Sequence, residues 1–252
     1  MEKTNTQINN LNSDDSGGRN TGMERRAFFK YAGAGVAILG LAGSSCKKSA
    51  DNNPAKKSTI DVGSGDTGIL NYAYALEQLE AAFYTQVIAT PYTGITAAET
   101  AILTDIRDHE IAHRAFYKAA LGSGALAALV TDFSQINFAD RTNVLDAAKG
   151  FEDLGVAAYN GVAYLIQDAV NLTIAGKIVS VEARHSAAIR NLSTTGTASP
   201  FSTFADATVI QPSTLNNVAN PYNGLEAWRL PSQVLPTVNQ YITVNLTATK
   251  LP

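Results

Sequence analysis

Leu76-Glu77-Gln78-Leu79-Glu80-Ala81-Ala82-Phe83-Tyr84 reads in parallel with Phe151-Glu152-Asp153-Leu154-Gly155-Val156-Ala157-Ala158-Tyr159, both following the pattern Glu-x-Leu-x-x-Ala-x-Tyr. Downstream of each copy stands a Glu-x-x-His, as Glu110-Ile111-Ala112-His113 and then Glu182-Ala183-Arg184-His185. The order Glu, Tyr, Glu-x-x-His thus occurs twice. Such an internal repeat marks two equivalent structural halves.

Working outward, each motif sits on a helical pattern. Ile69, Tyr72, Ala73, Leu76, Leu79, Phe83 and Val87 recur at spacings of three and four, which predicts a helix from Ile69 to about Ala89. Thr96-Ala97-Ala98-Glu99 is a capping box that opens a second helix. Its stripe runs Ile102 or Leu103, Ile106, Glu110, His113, Tyr117 and Ala120, and Gly122 stops it. A third pattern covers roughly Arg141 to Gln167 and a fourth about Leu172 to Leu192, with a longer connection carrying Phe133 and Phe138 between the second and third. Four helices joined in this way suit a four-helix bundle.

On a helix, residues i and i+3 share a face, so each Glu-x-x-His projects a carboxylate and an imidazole together. Both pairs fall on stripes that should face the core. An ionised carboxylate in an apolar interior costs several kcal/mol unless paired or bound to a cation. Glu77 and Glu152 complete a set of four Glu and two His, the donors of a carboxylate-bridged dinuclear centre. Oxygen with some imidazole suits iron or manganese, and the lack of thiolates argues against structural zinc. For Glu77 the plain alternative is a solvated charge, and Glu80 lies nearer the middle of the apolar arc. Glu77 is preferred because it alone has a counterpart, Gly155 standing where Glu80 would be matched. His109 sits off the stripe and reads as a surface residue or as one just outside the ligands. Asp108, Asp153 and Arg184 read either as solvated groups or as groups that orient ligands.

The flanks differ in kind. Residues 1–22 are polar and without periodicity, which predicts disorder. Arg25-Arg26-Ala27-Phe28-Phe29-Lys30, an apolar stretch from Tyr31 to Gly43 and Ser44-Ser45-Cys46 then form an export address over 23–46. The paired arginines resemble a twin-arginine signal. Cys46, the only cysteine, resembles a lipid-attachment site, and no second thiol exists for a disulfide. The apolar stretch is about 13 residues, short of the roughly 20 that a membrane-spanning helix needs. The expected location is therefore exported, periplasmic or cell-envelope, with the membrane touched through the lipid anchor only. Residues 47–66 read as a linker. From 194 to 252, Ser, Thr, Asn and Pro dominate, and Pro200, Pro212, Pro221, Pro231 and Pro236 forbid a long fifth helix. An irregular tail is expected to lie over the bundle through Phe201, Phe204, Leu225, Trp228 and Val234, with short strands near Tyr241 to Leu246. The formal net charge of -3 excludes the basic surface that nucleic acid requires.

The doubled Glu-to-Tyr and Glu-x-x-His elements resemble the ferritin-like superfamily, and within it bacterial ferritin-like domain proteins similar to plant desiccation-related proteins. The resemblance covers roughly residues 66 to 193. It implies an all-α, ferritin-like four-helix bundle over 67–193 and two iron or manganese ions held by Glu77, Glu110, His113, Glu152, Glu182 and His185. Tyr84 and Tyr159 match tyrosines that stand just outside the ligands seven residues after the ligating Glu. An oxidoreductase acting with dioxygen or peroxide is the implied activity. The alternative is a non-enzymatic envelope protein of stress protection or interaction, in which the metal is structural or absent. Bulk iron storage fits less well, because the long tether and the Pro-rich tail offer no evident surface for a closed shell.

Overall fold

A computed structural model describes residues 57–193 and 226–251. The N-terminal segment, the expected export signal with Arg25, Arg26 and Cys46, and Phe201, Phe204 and Leu225 of the tail lie outside the described residues. The elements are β1 (Thr59–Asp61), α1 (Gly65–Ala89), α2 (Ala97–Leu121), α3 (Arg141–Val162), α4 (Ala169–Ser193), α5 (Pro231–Val238) and β2 (Asn245–Thr247), with short 3-10 turns at Gly122–Gly124 and Ala163–Leu165. Helices α1 to α4 form the predicted bundle. Helix α1 packs chiefly on α2 and α3 on α4, and the two pairs meet through α1 with α3 and α2 with α4.

Local chemistry sets the helix starts. The Thr96 hydroxyl accepts from the Glu99 amide while the Glu99 carboxylate accepts from the Thr96 amide, closing the capping box. Asp140 caps α3 by accepting from Asn143 N, and Asp168 caps α4 by accepting from Val170 N and Asn171 N. The third helix ends earlier than its pattern suggests, at Val162. There the backbone turns so that the amides of Gln167 and Asp168 donate to the Asp66 carboxylate in the first turn of α1. At the other end, Arg141 donates to Glu99 and to the Leu192 carbonyl, tying the starts of α2 and α3 to the end of α4.

Helix α1 is the centre of the molecule, with every residue from Asn71 to Ala81 buried. What encloses it beyond the bundle includes the connection from Gly122 to Asp140 and the C-terminal segment. Phe133 meets Phe83 edge-on and Phe138 lies tilted against it, and Phe133 also packs at a tilt on Phe151 and Tyr241. Residues 226–230 cross α3, where the Arg229 amide donates to the Ala157 carbonyl and Asn160 donates to the Ala227 carbonyl. A Cβ on residue 161 would meet the Arg229 carbonyl at 1.9 Å, so only glycine admits this crossing.

Among the described residues of the tail, a short helix is opened by Pro231 at its first position and carries Pro236 within it. Its Val234 and Val238 are fully buried, and it packs on α3 and α1. Strand β2 pairs in parallel with β1, Thr59 opposite Asn245. The Asp61 carboxylate accepts from Gly63 N, Thr247 Oγ1, Thr249 N and Thr249 Oγ1. Residues 57–66, expected as linker, are in this way built into the fold: the β pairing is between segments far apart in sequence, which local composition does not reveal. No helix among the described residues is long and apolar enough to cross a membrane.

Candidate metal centre

All six residues singled out for metal converge in the middle of the bundle, one from each of α1 and α3 and two from each of α2 and α4. Glu77, Glu110, Glu152 and Glu182 are fully buried, and His185 is 4% exposed. One donor atom from each of Glu77, Glu110, His113 and Glu182 lies within 4.8 Å of the others, and the same holds for Glu110, Glu152, Glu182 and His185. The two groups share Glu110 and Glu182.

His113 Nδ1 is 2.8 Å from Glu182 Oε1, 3.3 Å from Glu77 Oε2 and 3.7 Å from Glu110 Oε2. His185 Nδ1 is 2.7 Å from Glu110 Oε1 and 3.7 Å from both Glu152 Oε2 and Glu182 Oε2. The imidazole centroids are 6.3 Å apart. Close as they are, these atoms are not aligned as hydrogen bonds: Glu77 Oε2, both oxygens of Glu110 and of Glu182, Glu152 Oε2 and both histidine Nδ1 atoms are buried without a hydrogen-bond partner. Buried polar atoms are almost always hydrogen-bonded. A set of orphans whose lone pairs converge on common points has the chemistry of a cation site, and carboxylate with imidazole fits iron or manganese.

The outward-facing atoms, by contrast, are satisfied. Tyr84 donates to Glu152 Oε1 at 2.6 Å, and Tyr159 donates to Glu77 Oε1. Each tyrosine therefore serves the glutamate of the other half. Tyr159 also bonds Tyr117, with the hydroxyls 2.9 Å apart. His109 resolves to the second of its two readings, since its Nδ1 is 2.9 Å from His185 Nε2 and the rings stack at 5.1 Å. That bond leaves His185 Nδ1 facing the glutamates, an orientation that outer partners of ligating histidines commonly enforce.

Without an ion the charges answer one another. Burial pushes the Glu77 and Glu152 carboxyls well above the usual range, and neighbouring carboxylates add to the rise. Burial acts against the charged imidazoles too, but the surrounding carboxylates prevail, raising His113 to about 12 and His185 to about 10. Glu110 is likewise opposed by burial and yet lowered to about 2 by His113 and His185. An arriving cation displaces these protons.

Three polar neighbours do not orient ligands. Asp108 pairs with Arg107 at the surface. Asp153 accepts from Ser186 and Arg190, and Arg190 also meets Glu226. Arg184 is exposed. Their adjacency in sequence to ligands turns them away from the site, because neighbouring residues on a helix do not share a face. Sequence reasoning in turn passed over Tyr117, whose signal was its place four residues after His113 on the same stripe.

The family model of the ferritin-like domain matches residues 65–195, which take in α1 to α4 and both Glu-x-x-His pairs. No curated protein matches the chain.

Proposed function

The chain belongs to the ferritin-like domain family, and on that premise we propose that it is an exported metalloprotein whose bundle holds a dinuclear iron or manganese centre with a redox role toward dioxygen or peroxide. The single observation that carries this reading is the converging set of buried, unpartnered donor atoms on Glu77, Glu110, His113, Glu152, Glu182 and His185. Glu77 and His113 would hold one ion and Glu152 and His185 the other, with Glu110 and Glu182 available to both. Such ions supply open coordination positions and a change of oxidation state.

The chain's own groups define what surrounds that chemistry. Tyr159 and Tyr84 fix the outer oxygens of Glu77 and Glu152, leaving the inner ones free to bind. His109 holds the His185 ring. Tyr117 and Tyr159 also border a narrow apolar recess of about 10 Å³, lined among others by Ile69, Tyr72, Leu76 and Val162. Twin-arginine export, which carries folded proteins, agrees with a centre assembled before transport, and lipidation of Cys46 would then hold the protein at the cell envelope, in keeping with the similarity to desiccation-related proteins.

The test is to purify the chain, reconstitute it with Fe²⁺ or Mn²⁺, count bound ions and follow dioxygen and peroxide consumption. Two equivalents with turnover support the proposal. Two inert equivalents favour the stress-protection alternative, and a folded chain that takes up neither ion rejects the centre. For the export part, Cys46→Ser should release the protein from the membrane fraction and Arg25→Lys with Arg26→Lys should block export; an unchanged distribution of both variants would reject it.

A further inference from the structure

Glu80 is the buried acid that the six-residue set leaves over. It is 3% exposed, one turn beyond Glu77 on α1, and no hydrogen bond or ion pair reaches it from any described residue. An ionisable side chain in that condition is expensive and rare unless it serves something. Its position relative to the centre is asymmetric. Gly155 stands one turn beyond Glu152 on α3, and a Cβ there would lie 2.8 Å from Glu80 Oε1. The carboxylate thus occupies the room that the missing side chain leaves, across from the turn of α3 that carries Glu152. That place, beside the α3 turn that follows Glu152, puts it on the side of the group formed by Glu110, Glu152, Glu182 and His185.

Resting on the dinuclear reading above, we propose that Glu80 is a seventh protein ligand, a carboxylate that joins the ion held by Glu110, Glu152, Glu182 and His185. Its oxygens are not among the atoms already clustered within 4.8 Å, so it reaches the ion by turning its side chain. The long, unbranched Glu side chain allows this, and no described residue hydrogen-bonds it in place. A ligand on one side only makes the two ions inequivalent.

The experiment compares the full chain with Glu80→Gln, which keeps shape and removes the charge. Mn²⁺ titration should show two equivalents in the wild type and, in the variant, a second step weakened tenfold or more, while the metal-free melting temperature of the variant is no lower than that of the wild type. In the iron-loaded proteins the variant's reduction potential should move upward, because an anionic ligand favours the higher oxidation state. A crystal structure of the Mn²⁺-loaded wild type should place a Glu80 oxygen in bonding contact with one ion. Two equivalents bound by both proteins with equal affinity, or a Glu80 carboxylate out of bonding reach of both ions, overturns the seventh ligand and leaves the dinuclear centre standing. A wild type that binds no ion overturns both.

Discussion

Helices α1 and α2 carry the same three-donor pattern as α3 and α4, yet the first half is the more polar of the two around the site. Where the first half has Glu80, His109 and Tyr117, the second has Gly155, Val181 and Ile189 at the matching positions. All three additions touch the cage or its immediate partners: Glu80 fills the room beside Gly155, His109 holds His185, and Tyr117 extends the Tyr159 hydrogen bond to Glu77. In the proposed centre the duplicated part would serve two ions alike. The unduplicated part makes the two sides of the site differ, and it lies at the donor cluster and not where the bundle is held together.

The largest effects test the shared part. Glu110→Ala and Glu182→Ala each remove donors from both four-residue groups, so both variants should lose both equivalents of metal by elemental analysis. Glu77→Ala and Glu152→Ala remove a donor from one group each and should retain about one equivalent. If Glu110→Ala kept one ion while Glu182→Ala kept none, the halves would not be equivalent even in their common ligands. A smaller effect tests the unduplicated part. His109→Ala frees Nε2 of His185, and loss of such an outer partner typically weakens metal binding by about 10 to 100-fold. Because His109 is itself exposed, water can replace it, and the low end of that range is expected in a Mn²⁺ titration. Val181→Ala, its counterpart, should leave affinity unchanged.

The repeat, the six donors and the start of α2 were legible in the sequence because each is local: a capping box spans one turn, and a Glu-x-x-His spans one face. The unduplicated residues were not, for a physical reason. Glu80 already lay near the middle of the apolar arc, but α1 is enclosed on every side from Asn71 to Ala81, so place on the arc does not separate one buried acid from another. His109 points off the α2 stripe and still meets His185, since its ring reaches across to α4. Tyr117 was visible as an apolar position while its hydroxyl was not visible as a partner of Tyr159. Helix α5 and the pairing of β1 with β2 depend on contacts between chain ends, which no short window contains.

Acidity sharpens the comparison between the ion-free and the loaded cage. Glu77, Glu80 and Glu152 have folded pKa values raised above their ordinary 4.5, chiefly by burial, so the folded chain holds protons that the unfolded chain releases as pH rises past that value. His113 and His185, raised to about 12 and about 10, likewise contribute stability below 6.5 that is lost as pH rises toward those values. Glu110, lowered to about 2, acts in the opposite sense only in acid. Between pH 5 and about 9 the metal-free protein should therefore melt at progressively lower temperature. Metal replaces the protons, so metal affinity rises with pH and the gap in melting temperature between loaded and metal-free protein widens. A gap that narrowed with pH would mean that ions do not compete with these protons.

The smallest effects belong to the helix starts, where the two halves should behave alike. Thr96→Ala removes one acceptor from the first turn of α2, although Glu99 stays held by Arg141. Asp168→Ala removes the acceptor of two amides at the exposed start of α4. Each should cost about 1 kcal/mol, roughly 2 to 4 °C in melting temperature for a chain of this size, with metal stoichiometry unaltered. The caps lie at helix ends and the donors near helix middles, so a rigid bundle can lose a cap without moving a ligand. Should either variant shed metal while remaining folded, the centre would be coupled to the helix ends, and the difference between the halves could no longer be confined to Glu80, His109 and Tyr117.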